Sequence, residues 1–153
     1  MPVVTKARKL PQRSQLLLNL WLCSEDHRQM MDQSLGSIHG IAYIEYLVLH
    51  HLAQAPGGAL RRIDLARTIS RSASGVTRLL RPMEKIGLVT KEHSERDARV
   101  SIVALTDAGR ERLRDATRSL NQLSEKFTAS INDKELARVE SALAALATRP
   151  LAS

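Results

Sequence analysis

The sequence has 153 residues, a length that fits one domain able to bury roughly two-thirds of the surface of its unfolded chain. Its hydrophobic fraction of 43% and charged fraction of 25% are those of an ordinary soluble globular protein. An aromatic fraction of only 3% predicts a core of Leu, Ile, Val and Ala, which suits helices packed on helices. The net charge of +7 favours a polyanionic partner.

Cysteine content and the N-terminal segment limit where the protein acts. A single cysteine, Cys23, excludes an intramolecular disulfide framework and suits a reducing cytoplasm. The N-terminus has no signal-peptide layout, and the apolar run Leu16–Cys23 is too short to span a bilayer. We therefore expect a cytoplasmic protein with no membrane partner and a frayed basic arm over residues 1–9.

Two helices are predicted in the first third of the chain. Residues 10–33 form the first, with a cluster of apolar side chains near its start: Leu16, Leu17, Leu20 and Trp21. We expect a break at Gly36 and Gly40 before the second helix, which Pro56-Gly57-Gly58 ends. Apolar residues recur in this second helix at helical spacing: Ile41, Ile44, Leu47, Val48 and Leu52.

Two short helices follow, over 61–69 and 73–86. The side chains expected to point inward are Ile63, Ala66 and Ile69 from the first helix, and Val76, Leu79, Leu80, Met83 and Ile86 from the second. Ser72 is a good N-cap for the second helix because its hydroxyl can accept from an unpaired amide of the first turn. Pro82 lies inside the same helix and lacks an amide proton, so we expect either a kink or an early end followed by a separate turn over 83–87. Proline also biases Arg81 away from helical geometry.

After Gly87 the pattern changes to a β-hairpin and then returns to helix. Runs rich in β-branched residues, 88–91 and 100–105, flank a polar stretch whose charged tip must project outward. Thr106 caps a long helix that carries the apolar positions Leu113, Ala116, Leu120, Leu123, Phe127 and Ile131. Asn132 and Glu135 resemble a capping box for a last helix. A narrow apolar stripe on that helix is typical of a helix–helix seam: Leu136, Val139, Leu143 and Leu146. The fold class is therefore mainly α with a small β-hairpin, in the order α1-α2-α3-α4-β-wing-β-α5-α6.

Several motifs in register between residues 63 and 110 resemble one family. They are Leu65-Ala66, Ser74-Gly75-Val76-Thr77-Arg78-Leu79-Leu80, Glu84-Lys85, Gly87-Leu88-Val89, Asp97-Ala98-Arg99, Leu105-Thr106 and Gly109-Arg110. Together they resemble the winged helix–turn–helix and wing of MarR (multiple antibiotic resistance regulator) family regulators. The resemblance implies a single domain over 1–153, with a winged helix–turn–helix lobe at 40–105. Dimerisation helices are implied at 10–35 and 107–149.

The charge pattern fits DNA binding independently of the resemblance. Between Leu60 and Leu105 there are ten basic and five acidic residues, so +5 of the net +7 lies in under a third of the chain. Basic surfaces gain affinity for a duplex by displacing condensed counterions, and side chains of a helix in the major groove read base edges. The candidate DNA-binding residues are Arg71, Ser72, Ser74, Gly75, Thr77 and Arg78, for each of which a solvated helix face is the alternative. Arg78 could donate two hydrogen bonds to a guanine.

The resemblance extends this set to the wing and to an effector. It implies that Arg99 enters the minor groove, that Asp97 orients it, and that Arg96 lies nearby. It also implies a homodimeric, ligand-responsive repressor on a pseudo-palindromic operator. Its effector would be a small aromatic or phenolic compound, for which Trp21, His27, His39 and Tyr43 are the candidate pocket residues.

Other functions have weaker support in the sequence. A winged helix could serve as a protein-interaction module instead, and Cys23 could make the protein a redox sensor, although Glu25 and Asp26 disfavour a thiolate there. Cys23 and His27 supply too few ligands for a structural metal site. No phosphate loop, nucleophile elbow or catalytic constellation is present, so we expect no enzyme activity, no cofactor and no metal.

Overall fold

The protein is described by a computed structural model that covers residues 10–93 and 100–147. Its elements in chain order are α1 (Gln12–His39), α2 (Tyr43–Gln54), a 3₁₀ turn (Pro56–Gly58), β1 (Ala59–Arg61), α3 (Arg62–Thr68), α4 (Ala73–Lys85), β2 (Val89–His93), β3 (Ser101–Leu105), α5 (Asp107–Phe127) and α6 (Asp133–Ala147). This confirms the predicted fold class, mainly helical with a small antiparallel sheet. In the described part of the chain, no helix is both long and apolar enough to cross a membrane.

The first helix is longer than predicted. It continues through Gly36 to His39, so the expected break at Gly36 is wrong. Met31 and Leu35 are fully buried on this part of the helix, and their packing outweighs the roughly 1 kcal/mol that a glycine costs in a helix. The helix ends at Gly40, whose φ of 64° lies in the left-handed region that glycine adopts readily.

The sheet has three strands instead of the two of a simple hairpin. Its order is β1-β3-β2, and both pairings are antiparallel. Leu60 of β1 and Lys91 of β2 both oppose Val103 at the centre of β3. The sequence analysis missed β1 because a strand of three residues has no periodicity of its own and forms only against β3.

The core of the lobe formed by residues 40–105 lies under the sheet and between α2, α3 and α4. Its largest fully buried side chains include Leu49, Leu52, Leu65, Val76, Met83 and Val103. Two side chains predicted to point inward are instead exposed, Ile63 at 55% and Ile86 at 56%. Ile63 lies about 110° around the axis of α3 from the midpoint between the buried residues Leu65 and Ala66, so its side chain lies beyond the buried face. Ile86 follows the end of α4, and the buried Leu88 occupies the position next to Met83.

The helix ends follow local chemistry. Thr106 Oγ1 accepts from the Gly109 amide at 3.0 Å, and the reciprocal Asn132–Glu135 bonds are 3.0 and 3.3 Å, so both predicted caps are confirmed. Leu88 N–H donates to the Met83 carbonyl at 2.9 Å around Gly87, whose φ is 77°. The fifth helix ends at Phe127 and does not reach Ile131, because the Asn132 cap starts a new helix there.

The N-terminal helices are tied to α5 by polar contacts. His39 Nε2 lies 2.8 Å from Ser119 Oγ, and Tyr46 Oη lies 3.2 Å from Thr117 Oγ1. Arg112 also donates to the backbone carbonyl of His39. These contacts place α5 against both α1 and α2, so that α5 links the N-terminal helix to the lobe that carries α3 and α4.

Candidate nucleic-acid interface

The turn between α3 and α4 fixes the relative position of these two helices. Ile69 is buried, Ser70 has a φ of 52°, and the amide of Arg71 donates to the Ala66 carbonyl at 2.9 Å. Ser72 then caps α4 by accepting from the Gly75 amide at 3.1 Å, as predicted. A Cβ at position 75 would lie 3.1 Å from Ser72 Oγ, so glycine leaves room for this cap.

Helix α4 has a buried face and a basic exposed face. Val76, Leu80 and Met83 are buried against the core. The opposite side of the helix exposes four polar side chains: Ser74, Arg78, Arg81 and Lys85. Among the residues that the structure describes, neither Arg78 nor Arg81 forms an ion pair. The geometry therefore leaves these guanidinium groups available to an anionic partner.

Thr77 lies on the flank of α4 and is half-buried. Its hydroxyl donates to the Ala73 carbonyl at 3.0 Å and accepts from Arg62 Nη1 at 3.2 Å. Since the single hydroxyl proton is already used, Thr77 can act on another partner only as an acceptor. The structure thus ties Thr77 to α3, while Ser74 and Arg78 stay exposed.

Pro82 does not end the helix. The fourth helix continues to Lys85, so of the two alternatives that we expected, the early end with a separate turn over residues 83–87 is wrong. Proline at this position leaves the carbonyl of Arg78 without its helical donor. Both residues are on the exposed side, where water can satisfy that carbonyl, and this explains why the helix tolerates the proline. Arg81 consequently remains in the helix and on its exposed face.

The wing residues predicted to contact DNA, Arg96, Asp97 and Arg99, lie outside the described residues. The strands on either side of them, β2 and β3, are described. They form an antiparallel pair in which Val89 lies opposite Leu105 and His93 lies opposite Ser101. The hairpin predicted from residues 88–105 is therefore confirmed in its two strands.

A separate cavity of 470 Å³ lies between α1, the start of α2 and the α3–α4 turn. Two of the four predicted pocket residues, His27 and Tyr43, line it, and their rings meet edge to face at 5.5 Å between centroids. Trp21, which is 62% exposed, and His39 do not line it. The remaining lining residues come from α1, from the start of α2 and from the α3–α4 turn: Ser24, Arg28, Asp32, Ala42, Ile44, Leu47, Ile69, Ser70 and Arg71.

The polar groups of this cavity are arranged around α1. Arg28 forms ion pairs with Glu25 at 2.6 Å and with Asp32 at 2.7 Å. The pKa of Arg28 is raised, mainly by its hydrogen bond to Glu25 and by the negative charge of that carboxylate. Asp32 Oδ1 also accepts from the Tyr43 amide at 2.7 Å. Burial raises the pKa of Tyr43 above its ordinary value, so its phenol stays protonated at neutral pH.

One polar atom in this cavity wall lacks a partner. His27 Nδ1 is buried and has no hydrogen-bond partner within residues 10–93 and 100–147. The cost of such an unsatisfied atom is about 1–3 kcal/mol. Because this atom is inaccessible from the cavity, His27 can meet a molecule bound there only through the rest of its ring. Cys23, by contrast, is exposed and does not line the cavity.

The helices α3 and α4 with the three-stranded sheet define a winged helix–turn–helix protein. Residues 39–100 match the family model described as MarR family. A 72-residue stretch is 29% identical to an uncharacterized HTH-type transcriptional regulator, YdgJ, of Bacillus subtilis (strain 168), and covers 47% of this chain and 44% of that relative. The chain is therefore similar to the MarR family over residues 39–100, and its fold is that of a winged helix–turn–helix protein.

Solved structures agree with this fold over most of the chain. The MarR family transcriptional regulator Sco3205 of Streptomyces coelicolor, solved in complex with DNA, superposes with a TM-score of 0.82 at 22% identity, covering 95% of this chain and 94% of its own. A mutant of MarR from E. coli, complexed with operator DNA, gives 0.77 at 20% identity, with coverage of 86% and 92%.

Proposed function

We propose that the chain is a cytoplasmic, sequence-specific regulator that binds double-stranded DNA. The observation that carries this proposal is the exposed basic face of α4, presented by a capped helix whose other face is buried in the core. The similarity of residues 39–100 to the MarR family supports it, because regulators of that family bind DNA and are not enzymes. The two structural relatives described above are themselves bound to DNA. A role as a protein-interaction module predicts no DNA affinity, which separates the two hypotheses.

In the docking mode that we propose, the first turns of α4 lie in the major groove. Ser74 and Arg78 read base edges there, and Gly75 lets the backbone approach closely. Arg71 and Ser72 contact phosphates just before the helix. Arg99, oriented by Asp97 and accompanied by Arg96, would contact the adjacent minor groove. The bonds of Thr77 to Ala73 and Arg62 favour a supporting role for Thr77 over base readout.

Replacing Arg78 with alanine tests the readout. A bidentate arginine–guanine contact contributes about 1–3 kcal/mol of discrimination. We therefore expect the Arg78→Ala protein to bind a duplex selected by the wild-type protein from a randomised library about 10- to 100-fold more weakly. Its affinity for a scrambled duplex should fall much less. Fluorescence anisotropy titrations at fixed salt concentration measure both affinities.

The matched control is Arg67→Ala, which removes the same charge from α3. Arg67 is exposed, lies 3.6 Å from Asp64 and belongs to α3 and not to α4. The Arg67→Ala substitution should leave the ratio of the affinities for the selected and the scrambled duplex unchanged. Equal losses for Arg78→Ala on the selected and scrambled duplexes would contradict base readout by Arg78.

We further propose that the protein is a homodimer. Among the described residues, helix α6 contributes none that is buried, and its stripe of Leu136, Val139, Leu143 and Leu146 is 40–47% exposed. A 15-residue helix that buries so little apolar surface is marginal in water, so this stripe needs a covering surface. A second copy supplies one through the exposed leucines of α1 and the α6 stripe itself. The interface would then use residues 10–35 and 107–149 and leave two lobes, each of residues 40–105, to face a pseudo-palindromic operator.

The cavity supports a ligand response. It joins α1, on the proposed dimer side, to Ile69, Ser70 and Arg71, which immediately precede α4. Its volume of 470 Å³ suits a small molecule, and its aromatic and cationic lining suits an aromatic or phenolic compound. A ligand that binds more tightly to the conformation with one spacing of the two lobes shifts the protein toward that conformation. We propose that this shift releases DNA, which makes the protein a ligand-responsive repressor.

Calorimetric titration with a panel of benzoates and phenols tests the cavity. We expect His27→Leu to weaken binding of the best compound about tenfold, because the His27 ring lines the cavity beside the Tyr43 ring and offers an aromatic contact that leucine lacks. His50→Gln is the control, since His50 lies outside the cavity and bonds to Gln54. Equal affinities of the wild-type and His27→Leu proteins would contradict this location.

A further inference from the structure

A second groove lies beside α4, between its flank and the sheet. It has a volume of 190 Å³, shares only Arg81 with the exposed basic face of α4 and shares no residue with the cavity of 470 Å³. Its walls come from α3, α4, β2 and β3, and its charged lining residues are Arg62, Arg81, Glu84 and Lys91.

The groove is positively charged. Arg62, Arg81 and Lys91 face a single carboxylate, Glu84, which leaves an excess of two positive charges. None of these four groups forms an ion pair with any residue of the described ranges 10–93 and 100–147. Three cations gathered without full compensation repel one another, and an anion in the groove would relieve that repulsion.

Arg62 is held in place inside this groove. Its Nη1 donates to Thr77 Oγ1 at 3.2 Å, and Thr77 in turn donates to the Ala73 carbonyl. A guanidinium has further N–H donors in a fixed planar arrangement that matches a phosphate. Because one edge of Arg62 is already anchored, less side-chain entropy is lost when the rest of the group binds an anion.

The position of the groove identifies the anion. One sugar–phosphate backbone separates the major groove from the neighbouring minor groove of a duplex. With α4 in the major groove, the sugar–phosphate backbone that borders that groove crosses the protein surface beside α4. The groove lies at this crossing, since it contains Arg81 of α4 and Lys91 of β2.

We propose that this groove binds one phosphate of the crossing DNA strand through Arg62, Arg81 and Lys91. Arg62 also positions Thr77 and with it the flank of α4. The inference rests on the proposed DNA binding, and it adds Arg62 and Lys91 to the contact residues. Phosphate contacts carry no sequence information, so the groove contributes affinity and register but no base preference.

The salt dependence of DNA binding tests the proposal. Each phosphate contact makes the negative slope of log K against log salt concentration steeper by about 0.9. Because Arg62, Arg81 and Lys91 would share one phosphate, we expect Lys91→Ala and Arg62→Ala each to make that slope shallower by up to about 0.9. They should weaken binding to the selected and the scrambled duplex by the same factor. Lys91 is exposed, so its replacement leaves the fold intact even if Arg62→Ala destabilises it.

Two further variants separate a phosphate contact from structural support. Thr77→Val removes the hydroxyl that Arg62 holds but no charge, so its slope should equal that of the wild-type protein. Glu84→Gln removes the opposing carboxylate and should strengthen binding to both duplexes. The proposal is overturned if Lys91→Ala leaves the slope unchanged, or if Arg62→Ala merely reproduces Thr77→Val. A wild-type protein that binds neither duplex would instead overturn the proposed function itself.

Discussion

Replacing Gly109 with alanine is expected to destabilise the fold by about 3 kcal/mol. Gly109 lies in the first turn of α5, where its amide donates to Thr106 Oγ1 at 3.0 Å. A Cβ at this position would overlap the carbonyl oxygen of Leu88 and lie 2.7 Å from Leu105 Cδ1. The overlapping atom is backbone and cannot rotate away, so α5 would have to move off the sheet. The melting temperature should fall by roughly 6–12 °C.

Gly36→Ala is the matched control, because the same change is made in a helix without an obstacle. No heavy atom lies within 4 Å of a Cβ built at position 36. Alanine should therefore stabilise α1 by about 0.5–1 kcal/mol through its better helix propensity. Thermal and denaturant unfolding at one protein concentration measures both variants, since a dimer's stability depends on concentration. If Gly109→Ala and Gly36→Ala changed the melting temperature by similar amounts, the expected overlap between a side chain at position 109 and the Leu88 carbonyl would be contradicted.

Replacing Leu143 with glutamate is expected to dissociate the proposed dimer. Leu143 lies in the middle of the α6 stripe and is 43% exposed within one chain. In a two-fold interface the new carboxylate appears twice, and a buried charge without a partner costs about 3–5 kcal/mol. The dimer dissociation constant should therefore rise by about a hundredfold or more. Operator affinity should fall with it, because the two lobes no longer bind as one unit.

The control places the same charge on the other side of α6. Ser141 lies nearly opposite the stripe in helical projection, so Ser141→Glu should leave the assembly unchanged. Sedimentation velocity over a range of concentrations distinguishes monomer from dimer for each protein. If Leu143→Glu sediments as a dimer, α6 is not the interface. If the wild-type protein is monomeric at micromolar concentration, the proposed dimer is wrong.

Features that depend on neighbours along the chain could be predicted from the sequence. The Ser72 and Thr106 caps, the Asn132–Glu135 capping box and the end of α4 at Gly87 each involve groups within a few residues of one another. The polar and apolar faces of α4 follow from the helical period alone. The winged helix–turn–helix itself was indicated by the resemblance of the motifs around Ser74–Arg78 to those of a known family.

Features that depend on distant partners could not be predicted. The strand β1 exists because Leu60 pairs with Val103, more than forty residues away. The continuity of α1 through Gly36 depends on the burial of Met31 and Leu35. The tolerance of α4 for Pro82 depends on which side of the helix faces water.

The sequence by itself indicated the winged helix–turn–helix class, through the resemblance of its motifs to a known family. It also placed Ser74 and Arg78 on the exposed side of α4, because residues four apart lie on one face of a helix. Only the tertiary structure decided which residues meet across elements. It brought His27, Tyr43 and Arg71 to one cavity, left Trp21 and His39 outside it, and gathered Arg62, Arg81 and Lys91 in one groove. The physical reason is that such contacts depend on how α1, α3 and the sheet pack around α4, and no local spacing encodes that packing.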